Sequence, residues 1–142
     1  YTTLFRSIID HCKKAILFGS LAVFTLARFY GANIISWYIG DNQQVIDLAV
    51  HGFRMFSYCF IFLGFNIFIA GFYTAIGNGL IAGIISLMRS LVFVLAALFT
   101  LPSLIGINGI WLSVPFAELA TMAISTVFYL MFVNSYFKKL VE

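Results

Sequence analysis

An all-α membrane protein with four transmembrane helices is the fold class this chain predicts, and three observations predict it. Apolar residues make up 63% of the 142 and charged residues only 9%, more apolar side chain than a water-soluble domain of this size can hide in its interior. Four apolar runs approach the twenty or so residues that a helix needs to cross the hydrocarbon core, at residues 15–38, 55–76, 79–101 and 109–132. The basic residues Arg6, Lys13, Lys14, Lys138 and Lys139 gather at the two chain ends. Four spans return the chain to its starting side, so all five fall on one face, as the positive-inside rule requires.

The first span is flanked by Lys13 and Lys14 at one end and by Trp37 and Tyr38 at the other, a basic inner flank followed by an outer aromatic belt. In the polar stretch 40–44, Asp41 stands three residues before Gln44, the spacing of a capping box, which predicts a helix start there. Residues 45–54 mix Asp47, His51 and Arg54 with apolar neighbours and read as an interfacial turn or two ahead of the second span. Gly77, Asn78 and Gly79 form a tight inner turn. Residues 102–109, with Pro102, Gly106 and Asn108, form the outer connection between the third and fourth spans, and Trp111 takes an interfacial position.

Several function classes are excluded or demoted. The formal net charge of +3 resides at the membrane flanks, so it does not mark a nucleic-acid partner. Cys12 and Cys59 fall at different depths, which disfavours a disulfide, and without paired histidines they make no metal site. No zinc-hydrolase signature, phosphate-binding glycine loop or paired nucleophile and histidine is present, so the chain is read as not an enzyme and as needing no cofactor. Residues Tyr1 to Lys14 lack the pattern of a secretory signal, and the first residue is not Met. The chain is read as part of a longer one.

Polar groups at membrane depth are the candidates for function, because a charge in the bilayer centre must face a protein interior or a water-filled cavity. Arg89 lies in the third span and Glu118 in the fourth, with Asn66 near the middle of the second and Arg28 in the outer half of the first. In a hairpin turning at Ile105, Arg89 lies sixteen residues before the turn and Glu118 thirteen after, a depth offset of about 5 Å at ~1.5 Å per residue, which a long arginine side chain can cover. The pair reads either as a polar centre that responds to ions, protons or substrate, or as a neutralised pair that locks two helices together. Arg28 reads as a cavity-lining or snorkelling residue. Pro115 removes a backbone donor inside the fourth span and makes a hinge or a static kink. Ser113, Ala117, Thr121 and Ser125 recur every four residues, as do Gly79 and Gly83, a spacing that lets helix backbones approach closely. Phe60, Phe62, Phe65, Phe68 and Phe72 surround Asn66; they either line a pocket for an apolar cation or fill gaps and face lipid.

The string Ile85-Ser86-Leu87-Met88-Arg89, then Leu101-Pro102, then Gly106-Ile107-Asn108-Gly109-Ile110-Trp111, and finally Pro115-Phe116-Ala117-Glu118 resembles the last two helices of the MATE family of multidrug and toxic-compound extrusion transporters. Phe72-Tyr73-Thr74-Ala75-Ile76-Gly77 looks like the end of that family's tenth helix, and the region of Trp37 to Val45 like the outer end of its ninth. The likeness is closest to the DinF-type and MepA-like branch. It implies that residues 1–142 are helices nine to twelve of a twelve-helix, two-lobe transporter of the bacterial cytoplasmic membrane, with both ends of this segment cytoplasmic. It further implies a secondary active antiporter that expels apolar, often cationic drugs or toxins in exchange for Na+ or H+. Its partners would be those small molecules, the lipid bilayer and the remaining eight helices. Asn66, Phe65 and Tyr73 would face the central cavity, Arg89 and Glu118 would brace or gate the lobe, and Pro115 would be the hinge. Where the sodium-binding NorM-type branch carries an acid in the tenth helix, this chain has Phe65 and Asn66. Alternative readings are a lipid-linked oligosaccharide flippase of the same superfamily and a non-transporting four-helix membrane scaffold.

Overall fold

A computed structural model describes the backbone of residues 2–141 and the side chains of residues 7–132. Tyr1, and the side chains of Arg6, Tyr136, Phe137, Lys138 and Lys139 that the sequence assigns to the flanks, lie outside the described residues. The chain is helical throughout, without a strand among the described residues. Helix α1 covers Thr2–Ile39, α2 Gln43–Phe56, α3 Cys59–Ala75, α4 Gly79–Leu87, α5 Val94–Ile105 and α6 Ile107–Val141, with a π-helical segment at Met88–Phe93 joining α4 to α5.

Helix α1 starts well before the apolar run because residues 2–14 contain neither Gly nor Pro to stop it; at 38 residues it extends about 57 Å. It stops at Gly40, whose φ of +78° is the left-handed conformation in which glycine commonly ends a helix. Asn42, rather than the Asp41 and Gln44 pair, caps α2. Its backbone is extended and its side-chain oxygen accepts from the Val45 N–H at 3.3 Å, which puts Gln44 one position too early to close a capping box.

Helix α2 keeps Asp47, His51 and Arg54 exposed and buries Ile46 and Gly52. It packs on α1, where the Phe53 ring lies on Gly31, and on α6, where the Trp111 indole lies on Gly52. The stretch expected as the second span is a bent pair of helices: α2 and α3 meet at an angle of 42°. Buried Ser57 sits at the break, its hydroxyl donating to the Arg54 carbonyl at 2.8 Å and its N–H to the Phe53 carbonyl at 2.8 Å. A serine that takes a carbonyl from the previous turn in this way competes with the helical ladder and bends it.

Gly77 makes the inner turn with φ +80°, and the Asn78 N–H closes on the Tyr73 carbonyl at 2.9 Å. The outer connection expected over 102–109 contracts almost to Gly106 alone, at φ +64°. Pro102 stays inside α5 and α6 begins at Ile107. A hairpin this tight requires Gly109, since a Cβ there would strike the backbone of Leu101 and Pro102.

Three helical stretches among the described residues, Ser7–Ile39, Gly79–Ile105 and Ile107–Phe132, are each long and apolar enough to cross a bilayer, and the bent α2–α3 pair brings the number to four if the two helices together form one span. Lys13 Nζ lies 5.2 Å from the centre of the Tyr129 ring, which puts the start of α1 and the far part of α6 at one end of the bundle. His51 Nε2 lies 3.0 Å from Asn108 Oδ1 at the other. The main core joins Phe68, Ile69, Phe72 and Tyr73 of α3 to Ala82 and Ile85 of α4. Phe72 is its hub, with edge-on contacts to Tyr129 at 5.3 Å and Phe132 at 5.8 Å.

Candidate functional site

Helix α6 presents one face of small residues to the rest of the bundle. Ser113, Ala117, Thr121 and Ser125 are all buried, and the Ser113 and Thr121 hydroxyls donate back to the carbonyls four residues earlier, at 2.6 and 2.8 Å. Hydrophobic association is weak between helices in lipid, so close approach over such a stripe is what holds them together. Gly79 and Gly83, with the same spacing, are exposed and have open space around them among the described residues.

Glu118 flanks that stripe and Asn66 faces it from α3. The Asn66 Nδ2 donates both to the Glu118 backbone carbonyl at 2.9 Å and to Glu118 Oε2 at 2.6 Å. Both residues are buried, Asn66 at 1% exposure and Glu118 at 7%. Arg89 reaches the other carboxylate oxygen, with Nε 3.9 Å from Oε1 and its side chain 24% exposed, an ion pair too long to be a hydrogen bond. All three positions lie near the middle of their helices: Asn66 is eighth of 17 residues in α3, Arg89 eleventh of 27 and Glu118 twelfth of 26 in their spans.

The π-helical segment Met88–Phe93 carries Arg89. A π segment widens the helix locally and is frequent at functional sites. Here it holds a cation toward α6 in the middle of an otherwise apolar span. Nothing in the residue pattern announces it beyond the presence of an arginine at that depth. The Asn66 Oδ1 has no hydrogen-bond partner among the described residues, and neither does the Trp111 Nε1 or the Ser125 hydroxyl. An acceptor left so costs about 1–3 kcal/mol, so Asn66 is held by its donors at the expense of its acceptor.

Of the residues the sequence singles out, Asn66, Arg89 and Glu118 come together. Phe65 and Tyr73 do not join them. Phe65 turns about 100° away from Asn66 around α3 and lines a crevice toward α1, while Tyr73 is 1% exposed and lies edge-on to Phe132 at 5.9 Å in the aromatic core. Pro115 is buried within an uninterrupted α6, less than one turn before Glu118. Its missing N–H leaves the Trp111 carbonyl without the usual helical donor. Trp111 itself is packed over Gly52. Arg28 donates to the Arg54 carbonyl at 3.3 Å and lies 5.8 Å from the Tyr58 ring centre, across the bend between α2 and α3. His51 and Asn108, which the sequence leaves unconnected, tie α2 to the start of α6.

Chemically, the centre is a buried carboxylate with one oxygen on an amide and the other facing a guanidinium. It can brace α3, α6 and the π segment together. Fold and site define a class: an all-helical protein with membrane-compatible spans and an internally paired polar centre at their mid-depth. No known protein family, curated protein or solved structure matches the chain.

Proposed function

We propose that this chain works as part of a secondary active transporter in a bacterial cytoplasmic membrane, as helices nine to twelve of a MATE-type multidrug exporter. The convergence of Asn66, Arg89 and Glu118 inside three apolar helical stretches carries the transporter reading. A polar centre at that depth costs on the order of 3 kcal/mol per charge on insertion scales and is found mainly where ions, protons or substrates are handled. The string from Ile85 through Trp111 to Glu118 supports the choice of family. In this reading the exported compounds are apolar and often cationic, the counter-ion is Na+ or H+, and the Lys13 end of the bundle faces the cytoplasm. Glu118 is the residue whose charge changes during the cycle; Asn66 and Arg89 hold it in the resting arrangement.

A second reading is favoured by one observation: both Glu118 carboxylate oxygens are already engaged, one by Asn66 and one by Arg89. A pair satisfied in this way can serve only to lock three elements together, as a scaffold subunit would require. Efflux of a fluorescent apolar cation from cells or vesicles carrying the full-length protein separates the two, with Na+ and H+ gradients imposed in turn. The Glu118→Gln variant keeps a side chain able to bond Asn66. Under the transport reading it slows efflux by about tenfold or more, a barrier change of roughly 1.4 kcal/mol, and flattens its dependence on one of the two gradients. Unchanged efflux across pH and both gradients would remove Glu118 from coupling and leave bracing as its role.

A further inference from the structure

Helices α1 and α3 pack side by side, with the Ser20 and Ile16 side chains directly against Gly64. Beside that contact lies a crevice of about 60 Å³ lined by Ile16, Leu17, Ser20, Ile61, Phe65 and Phe68, with Lys13 at its end. Its walls are almost wholly apolar. It has room for a few methylene groups and none for a drug-sized ring system. The opening faces outward from the bundle, since Leu17 on its rim is 67% exposed.

Lys13 sits at the start of the apolar run of α1, where a lysine stem lies along hydrocarbon and its ammonium reaches the headgroup level. Its Nζ is 3.9 Å from Asp10, a contact with both side chains well exposed, and such contacts hold a lysine only loosely. The same Nζ lies over the Tyr129 ring of α6. That contact fixes the ammonium above the crevice while leaving its hydrogen-bond donors usable, since a lysine carries three. Lys14, one residue on, is exposed and adds a second positive charge at the same level.

We infer that the α1–α3 crevice is a binding site for an anionic phospholipid, its phosphate on Lys13 and the upper part of one acyl chain in the apolar slot below. The occupant follows from charge complementarity above the slot and from the apolar lining within it. The inference rests on the membrane reading of the helices and not on transport.

Native mass spectrometry of the detergent-purified, full-length protein, titrated with phosphatidylglycerol or with phosphatidylcholine of identical chains, tests it. The wild type retains at least about threefold more phosphatidylglycerol. Lys13→Gln abolishes the preference, Lys13→Arg restores it, and Lys14→Gln, about 100° around the helix, keeps it. Inorganic phosphate at millimolar concentration does not displace the lipid, because the acyl chain supplies part of the binding. Equal retention of both lipids by the wild type would overturn the inference, as would equal loss in Lys13→Gln and Lys14→Gln, which is the mark of diffuse surface charge. If Lys13→Gln fails to fold, Lys13→Arg and Lys14→Gln still decide: a preference lost in Lys14→Gln, or changed for phosphate alone, refutes a site built on Lys13.

Discussion

Helices α1 and α6 are alike in length and apolarity and opposite in use. Their candidate spans have the same mean hydropathy of 1.5, yet 6% of the α1 window is buried against 28% of the α6 window. Helix α1 turns Phe18, Phe29 and Trp37 outward, whereas α6 turns Ser113, Ala117, Thr121 and Ser125 inward. Apolarity assigns a segment to the membrane, but lipid tails solvate large apolar side chains as well as protein does. Small and polar residues therefore decide which helix becomes the centre of the bundle. Helix α6 is that centre, touching α2, α3, α5 and the π segment, and it carries Glu118.

The strongest way to break this comparison is to remove the charge that α6 buries. Glu118→Leu strands Arg89 and removes the Asn66 bond to the carboxylate while leaving its bond to the residue-118 backbone carbonyl, and should lower stability by about 3 kcal/mol, in the range for breaking a buried ion pair. Phe18→Ala, on the exposed face of α1, should stay within about 0.5 kcal/mol. Reversible unfolding of the full-length protein in mixed micelles measures both. Equal costs for the two variants would end the distinction, and the double variant Arg89→Leu with Glu118→Leu should recover at least half of the loss.

A smaller effect contrasts two glycines. Gly109→Ala places a methyl group against the Leu101 and Pro102 backbone, whereas Gly83→Ala meets open space. The first should cost about 2 kcal/mol by overpacking, and the second should be neutral or stabilising, since alanine is the better helix former. Similar thermal midpoints for both would show that the α5–α6 hairpin yields more easily than its geometry suggests.

The smallest concerns the bend. Arg28→Gln loses the bond to the Arg54 carbonyl and the contact with Tyr58, together about 1 kcal/mol. Hydrogen exchange should show faster amide exchange around Ser57 and Tyr58 and no change at Glu118. Acceleration at both places would mean that the two regions open as one unit.

Much of the architecture was legible in the residue pattern. The four apolar runs, the turn at Gly77, the small-residue stripe of α6 and the reach between Arg89 and Glu118 all follow from periodicity and helix geometry. Local competition among hydrogen bonds was less legible. Asp41 and Asn42 are both able to cap, and only backbone conformation at the helix start selects Asn42. A proline at position 102 suggests a loop, yet it lies near the end of α5, where one more turn can form beyond it. Ser57 carries no obvious mark of a bend, because serines also sit in straight membrane helices.

The candidate site divides the same way. A charge or an amide in the middle of an apolar run must find company, so Asn66, Arg89 and Glu118 stand out from composition and spacing alone. Which company each finds depends on the rotation of α3 about its axis, the widening of the helix at Met88–Phe93 and the depth at which α6 docks. These are set jointly by contacts between residues far apart in the chain, such as Asn66 with Glu118 and Trp111 with Gly52. Rotation by one residue is about 100°, enough to send Phe65 to the crevice against α1 and Asn66 to the buried Glu118. Helical periodicity places neighbouring residues on different faces, and long-range packing chooses which face looks inward.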